Sequence, residues 1–261
     1  MRPLHTCNLI PSIRWPSVCL AISLALDMTH LPSTITTSSQ SVMVSVVTHP
    51  GGERVEGEVT QLVVAGYTGR DTSQVQAHID ELAREGISPP PQIPMFYSVP
   101  VDRLVVGERA RVDGEMTSGE VEPVLLYLAG RRFVGVGSDH TDRHLERSDI
   151  ALSKAACPKM IAPVVLDYDF ALGHWDELQL RSWVGQERRP YQSGAAGRLR
   201  SPDELTALLE GGLSDGTVLF MGTIPLLEPG FVYADRFEFE MSAGDDNSTI
   251  GGSYELERRA K

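Results

Sequence analysis

The chain has 261 residues, 41% of them hydrophobic and 22% charged, the composition of an ordinary globular protein long enough to bury a sizeable core. Its formal net charge of −12 opposes phosphate backbones and anionic lipid headgroups, so nucleic acid and membrane surfaces are set aside as partners. Cys7, Cys19 and Cys157 have neither zinc-site nor disulfide-framework spacing, and no apolar run reaches the roughly 18 residues of a membrane span, so a reducing, cytoplasmic setting is expected.

Residues 1–42 differ in composition from the rest of the chain: they carry Arg2 and Arg14, no acid before Asp27, and a polar tract over 32–41. They read as a disordered leader or a misplaced start ahead of Met43, and a mitochondrial or secreted location is expected only if they are a genuine targeting segment. A single domain is expected over 43–261. Val44-Ser45-Val46-Val47 and Leu62-Val63-Val64-Ala65 read as strands. Asp71 reads as the N-cap of a helix with Val75, Ile79 and Leu82 at helical spacing, ended by Gly86. Residues 87–94 hold four prolines, which continue neither a helix nor a central ladder, so they form an extended loop tethering that helix as a small lid. Further strands are expected at 121–128, 132–136, 163–166, 178–184, 218–221 and 237–241, and a second helix opens at Ser201-Pro202-Asp203-Glu204. Many strands and few helices define an α+β chain, mainly β, built as a mixed β-sandwich or β-roll. There is no internal repeat and no Rossmann, P-loop or HExxH signature.

In Ser118-Gly119-Glu120-Val121-Glu122-Pro123 two acids stand at i and i+2, which in a strand puts both carboxylates on one face. Charges so close repel unless a cation bridges them. The strand continues as Val124-Leu125-Leu126, so the acids sit at the mouth of a buried element. A second strand ends in the glycine-flanked turn Gly137-Ser138-Asp139-His140, where Asp139 offers a third oxygen ligand. Three carboxylates make a hard site suited to Mg²⁺ or Mn²⁺. The plainer alternatives are a solvated strand edge for the glutamates and turn hydrogen bonding for Asp139, Asp142 and Arg143. On the lid helix His78 and Glu81 stand at i and i+3, where a Glu that orients an imidazole makes a general base for water, although the same spacing describes an exposed surface pair. Cys157 reads as buried, His174-Trp175-Asp176 as the anchor of a core Trp, and His140 as pocket wall or turn.

The order of these features resembles the fumarylacetoacetate hydrolase superfamily from about Leu62 onward. That superfamily shows an H-x-x-E lid helix, a proline-rich link to a P-x-x-F/Y segment, an E-x-E strand and an N-D-x-x-x-R turn. The chain offers His78-Ile79-Asp80-Glu81, Pro94-Met95-Phe96-Tyr97, Glu120-Val121-Glu122 and Ser138-Asp139-His140-Thr141-Asp142-Arg143, in that order. Downstream, Ser153-Lys154, Gln192 and Phe220-Met221-Gly222-Thr223 are similar to further family segments. Ala65-Gly66-Tyr67-Thr68-Gly69-Arg70-Asp71 and Gly173-His174-Trp175-Asp176 resemble a branch known chiefly as a domain of unknown function. Three departures stand out: Ser138 replaces the usual Asn, Ile224 stands where Pro is usual, and the span from Glu122 to Asp139 is short.

The resemblance implies a divalent cation held by Glu120, Glu122 and Asp139, with Mg²⁺ foremost and Mn²⁺ or Ca²⁺ as alternatives. It implies hydrolysis of a carbon–carbon bond in a keto acid or β-diketone, with His78, oriented by Glu81, activating water. Lys154 and Arg143 would neutralise a substrate carboxylate or oxyanion, and Gln192 and Thr223 would position the substrate by hydrogen bonds. The same site serves equally for a hydratase, decarboxylase or tautomerase of a 2-keto acid, and a non-catalytic binding module retaining the fold is the alternative from another class. Relatives imply a homodimer.

Overall fold

Apolar residues recur at every second position where the chain begins to be described, and they fold it back on itself at once. β1 (Val42–His49) and β2 (Arg54–Val59) pair as a hairpin with Val44, Val46, Val55 and Val59 turned inward. The structure, a computed structural model, describes residues 41–84, 89–243 and 249–259; the side chains of His78, Glu81, Leu82 and Arg84 lie outside that description, as does nearly all of the expected leader. β3 (Gln61–Gly66) is an apolar run buried on both faces, and it leads to α1 (Thr72–Arg84), opened by Asp71, whose carboxylate accepts from Ser73 N at 2.9 Å. β4 (Met95–Val99), β5 (Leu104–Val106), β6 (Arg109–Asp113) and β7 (Thr117–Ser118) come after it.

The long hairpin β8 (Val121–Leu128) and β9 (Arg131–Asp139) is next. Its two turn residues, Ala129 and Gly130, have φ of 52° and 73°, the left-handed pair that a two-residue type I′ turn requires. β10 (Thr141–Asp142) pairs with β7, and then come α2 (Arg143–Glu146), α3 (Ile150–Ala156), β11 (Lys159–Ile161), β12 (Val164–Asp167) and α4 (Tyr168–Gly173). These three helices are absent from the sequence reading, because each is at most seven residues long and too short to show a period. Their signal lies in the caps: Asp142, Asp149 and Asp167 each accept from backbone amides of the first turn. β13 (Gln179–Val184), β14 (Arg189–Ala195), α5 (Pro202–Leu208), β15 (Thr217–Phe220), β16 (Arg236–Ser242) and β17 (Thr249–Arg259) complete the order, with α5 opened by the expected capping box between Ser201 and Glu204.

Apart from the small β7–β10 pair, the described strands form two curled mixed sheets, the β-roll arrangement expected from the sequence. The larger runs β2-β1-β12-β9-β8-β15-β3-β4, with β11 and β5 branching from β9, and the smaller runs β14-β13-β16-β17-β6. β8 lies at the centre and is buried on both faces. Val121 and Leu125 pack into a core shared with Leu180, Phe237, Phe239 and Tyr254 of the smaller sheet, while Val124, Leu126 and Leu128 face a second cluster with Val46, Phe133, Val165 and Phe220. Burying each such side chain stabilises by about 1.5–3 kcal/mol, so the β8–β9 hairpin is a firm platform for anything mounted on its end. Among the described residues no helix is long and apolar enough to cross a membrane.

Candidate metal centre

The register of β8 and β9 builds the site. Val121 stands opposite Ser138 and Glu122 opposite Gly137, and one step further Asp139 N donates to Glu120 O at 3.0 Å. Facing residues of an antiparallel pair share a face, so Glu120, Glu122 and Asp139 emerge together. One oxygen of each lies within 4.8 Å of the other two. Gly137 puts nothing between them, and it must be glycine: a Cβ there would lie 2.4 Å from Met160 O. Strand alternation places Glu122 on the face of Val124 and Leu126, so the carboxylates cap an apolar interior.

Each carboxylate has its own surroundings. Glu122, 2% exposed, accepts at Oε2 from Gly222 N at 2.8 Å and touches no basic side chain among the described residues. Gly222 follows β15 with φ of 92°, and a Cβ there would fall 2.0 Å from Thr68 Oγ1. Glu120 pairs with Arg143 Nη2 at 3.1 Å. Arg143 is itself buried: Nε donates to Ser118 Oγ at 2.7 Å, Nη1 donates to Glu146 at 2.9 Å, and its guanidinium lies 4.0 Å from the Phe231 ring centre. Asp139 is held at both oxygens, by Lys154 on Oδ2 and by Lys159 at 2.9 Å from Oδ1. Lys159 also donates to His140 O at 2.7 Å and Cys157 O at 3.2 Å, filling its three donor positions.

Burial, joined by the neighbouring Asp139 charge, pushes the Glu122 carboxyl well above its usual range, and burial also raises Glu120 against the pull of Arg143. For Asp139 burial acts upward too, but Lys154 and Lys159 outweigh it and hold the group ionised. Burial opposes the Lys154 charge, yet Asp139, Glu120 and Glu122 hold its pKa above the ordinary lysine value. Hard oxygens at this spacing, with Glu122 lacking any counter-charge in contact, fit a divalent cation bound at about 2.0–2.6 Å.

The remaining expected residues divide. Lys154 reaches Asp139 from α3. Gln192 on β14 lies 1% exposed with its amide fully used: Oε1 accepts from Val121 N at 2.9 Å and Ser182 Oγ at 3.0 Å, and Nε2 donates to Thr223 Oγ1 at 2.8 Å and Ile224 O at 2.7 Å. Gln192, expected to touch substrate, spends its amide within the chain and braces Val121, the residue between the two glutamates. Thr223 helps, donating from Oγ1 to Val121 O at 2.8 Å, but it is only half-buried and keeps one acceptor position. His78 and Glu81 fall on α1, and their side chains lie outside the described residues.

His140 is neither pocket wall nor turn. It is 1% exposed on the far side of the hairpin, bonded at Nδ1 to Tyr254 OH (2.8 Å) and at Nε2 to Thr117 Oγ1 (2.9 Å), with Ser138 Oγ 2.9 Å from the same Tyr254 hydroxyl. Burial, then the Lys159 and Arg143 charges, hold its pKa well below the usual value. Trp175 is the core anchor expected, donating from Nε1 to Leu199 O at 3.2 Å, and Cys157 is buried with its thiol pushed up to about 12 by burial. The sequence reading missed Lys159 and Glu146. A single charge inside the apolar run Pro158-Lys159-Met160-Ile161 was the signal for the first; Glu146, one turn after Arg143, carries only the common i, i+3 pattern.

The curled mixed β-roll is similar to the fold of solved proteins of the fumarylacetoacetate hydrolase family. Solved structures bear this out. A fumarylpyruvate hydrolase from Pseudomonas aeruginosa, in complex with Mn²⁺ and pyruvate, superposes with a TM-score of 0.52 at 15% identity, over 82% of this chain and 97% of that one. A 2-keto-3-deoxyarabinonate dehydratase gives 0.56 at 19% identity over 78% and 75%, and yeast ynq8, a fumarylacetoacetate hydrolase family protein, gives 0.54 at 15% over 77% and 94%. The chain belongs to the family described as protein of unknown function (DUF2848), whose model matches residues 65–254. No curated protein matches the sequence.

Proposed function

We propose that this chain is a metal-dependent enzyme that hydrolyses a carbon–carbon bond of a keto acid or β-diketone, with Glu120, Glu122 and Asp139 holding a divalent cation, Mg²⁺ foremost. The observation that carries the reading is the convergence of three carboxylates within 4.8 Å on adjacent strands, one of them with no counter-charge in contact. A cation bound there supplies Lewis-acid polarisation of a carbonyl oxygen. Lys154, kept charged by the carboxylates around it, neutralises an anionic substrate oxygen beside Asp139. Arg143, fixed by Ser118, Glu120 and Glu146, holds Glu120 in place and adds buried positive charge beside the carboxylates. Gln192 and Thr223 set the backbone of Val121 and so the aim of both glutamates. His78, oriented by Glu81 on the lid helix, takes the proton from water.

The named relatives include both a hydrolase and a dehydratase, so the products decide the reaction. The test is to incubate the purified chain with a panel of 2-oxo acids and β-diketo acids in Mg²⁺, Mn²⁺ or a chelator and to identify the products. Metal-dependent release of two carboxylic or keto fragments is the expected result, lost in Glu122→Gln. Dehydrated, decarboxylated or tautomerised products would replace the assigned reaction while keeping the site; absence of Mg²⁺ and Mn²⁺ binding in calorimetry would overturn the site itself.

A further inference from the structure

The polar groups behind Asp139 have no part in the roles above. The β8–β9 register ends with Val121 opposite Ser138, so the aspartate stands at the last step of the hairpin. A bond from His140 N back to Ser138 O at 3.1 Å then closes a three-residue turn with Asp139 at its apex. Both neighbours of that apex are pinned by one hydroxyl: Ser138 Oγ lies 2.9 Å and His140 Nδ1 2.8 Å from Tyr254 OH. All three residues are buried. The hydroxyl also comes close to the other arm. A Cβ on Gly119, the residue before Glu120, would fall 2.7 Å from Tyr254 OH and 2.6 Å from Ser138 Oγ, so a larger residue there would displace the group.

Tyr254 enters from β17 in the smaller sheet, its ring centre 5.7 Å from that of Phe237 and 6.3 Å from that of Phe239. That packing requires a ring and nothing more, and a buried phenol needs one partner for its proton. This hydroxyl has two, and they are the residues on either side of a triad carboxylate. The far edge of the imidazole is anchored as well: Nε2 meets Thr117 Oγ1 at 2.9 Å, which accepts from Arg258 Nη1 at 3.0 Å. Arg258 stands four residues beyond Tyr254 on the same strand, so β17 grips the Asp139 turn at two points. Lys154 and Lys159 hold the carboxylate itself, whereas Tyr254 holds the chain that carries it.

We propose that Tyr254 is a positioning residue of the metal centre, its hydroxyl setting the aim of Asp139 through Ser138 and His140. This rests on the triad being a divalent-cation site. The full chain is titrated with Mn²⁺ by calorimetry, and the bound ion is observed by electron paramagnetic resonance, in wild type, Tyr254→Phe and Phe239→Leu, each well below its melting temperature. Tyr254→Phe keeps the ring and removes the hydroxyl; Phe239→Leu loosens the same aromatic cluster and leaves the hydroxyl in place. In Tyr254→Phe the Mn²⁺ affinity should fall by about ten-fold or more, as loss of a group that orients a metal ligand produces. Its Mn²⁺ resonance should broaden as Asp139 takes more than one orientation. Phe239→Leu should melt earlier yet bind Mn²⁺ within two-fold of wild type, with an unchanged spectrum. A Tyr254→Phe affinity within two-fold of wild type would overturn the proposal, and so would an equal loss in Phe239→Leu, because looser packing would then explain both. Should Tyr254→Phe fail to fold, Ser138→Ala removes one of the two bonds; a loss of about three-fold or more is expected, and wild-type affinity would overturn the role. A wild type that binds no Mn²⁺ is a different result: it removes the triad reading on which the proposal stands.

Discussion

Two regions of this molecule carry charges across neighbouring strands, and they do opposite things with them. On the outer face of the smaller sheet Arg181 pairs with Glu240 at 3.0 Å and Arg111 with Glu257 at 2.8 Å, each residue directly opposite its partner in the ladder and each at least partly open to water. At the end of β8 and β9 the same residue types also meet across the register, but Asp139, Lys159 and Arg143 are sealed from solvent. Water screens the first set, and each pair is worth little. Nothing screens the second, where every charge has been placed against its desolvation cost. Burial of charge, more than pairing of charge, marks the functional end.

The comparison is broken most severely at Asp139. Asp139→Ala leaves Lys154 and Lys159 without their shared counter-ion, and urea unfolding should show a loss of about 3–5 kcal/mol, the usual result of orphaning a buried charge. A loss below about 1 kcal/mol would mean that the buried cluster behaves like the surface ladder. Glu122→Gln separates ligation from stability, because no basic side chain loses a partner. Its metal-free stability should stay close to wild type, whereas the gain from Mn²⁺, about 2.7 kcal/mol for wild type at a hundred times Kd, should vanish in thermal melts.

Gln192→Leu removes four buried hydrogen bonds and should cost about 2 kcal/mol, with Mn²⁺ affinity weakened only in step with the loosened Val121. A variant of unchanged stability that binds substrate poorly would return Gln192 to a direct substrate role. The smallest effect belongs to the ladder: Arg181→Ala should shift stability by less than about 1 kcal/mol and should matter still less in high salt.

The parts legible in the sequence were those that a local period controls. E-x-E in a strand puts Glu120 and Glu122 on one face by period two alone, and Asp139 joins them because the hairpin register sets Glu122 opposite Gly137. Lys154 was named through resemblance only; the short helix that carries it shows no period, and its approach to Asp139 depends on α3 packing against β4 and β10. Gln192 was singled out as a substrate contact, and a residue type does not reveal whether its amide faces a ligand or four groups of its own protein. The Gly222 amide that fixes Glu122 is a backbone atom, which no reading of side chains finds. Tyr67 stood in a quoted motif, yet its left-handed backbone is set beside the packing of Thr68 on Gly222, a contact between segments more than 150 residues apart.

The two-residue turn at Ala129 and Gly130 acts as a ruler for all of this. Glu120 and Asp139 each lie nine residues from it, one on either arm, so the distance between two ligands is fixed by counting outward from a solvent-facing bend at the opposite end of the hairpin. Surface turns are ordinarily where insertions and deletions do least harm. Here one added or deleted residue would turn every side chain of one arm to the other face, sending Asp139 toward Tyr254 and Ser138 toward the glutamates. The turn can therefore drift in composition, provided both positions accept a left-handed backbone as Asn or Gly do, while its length is held constant by chemistry nine residues away.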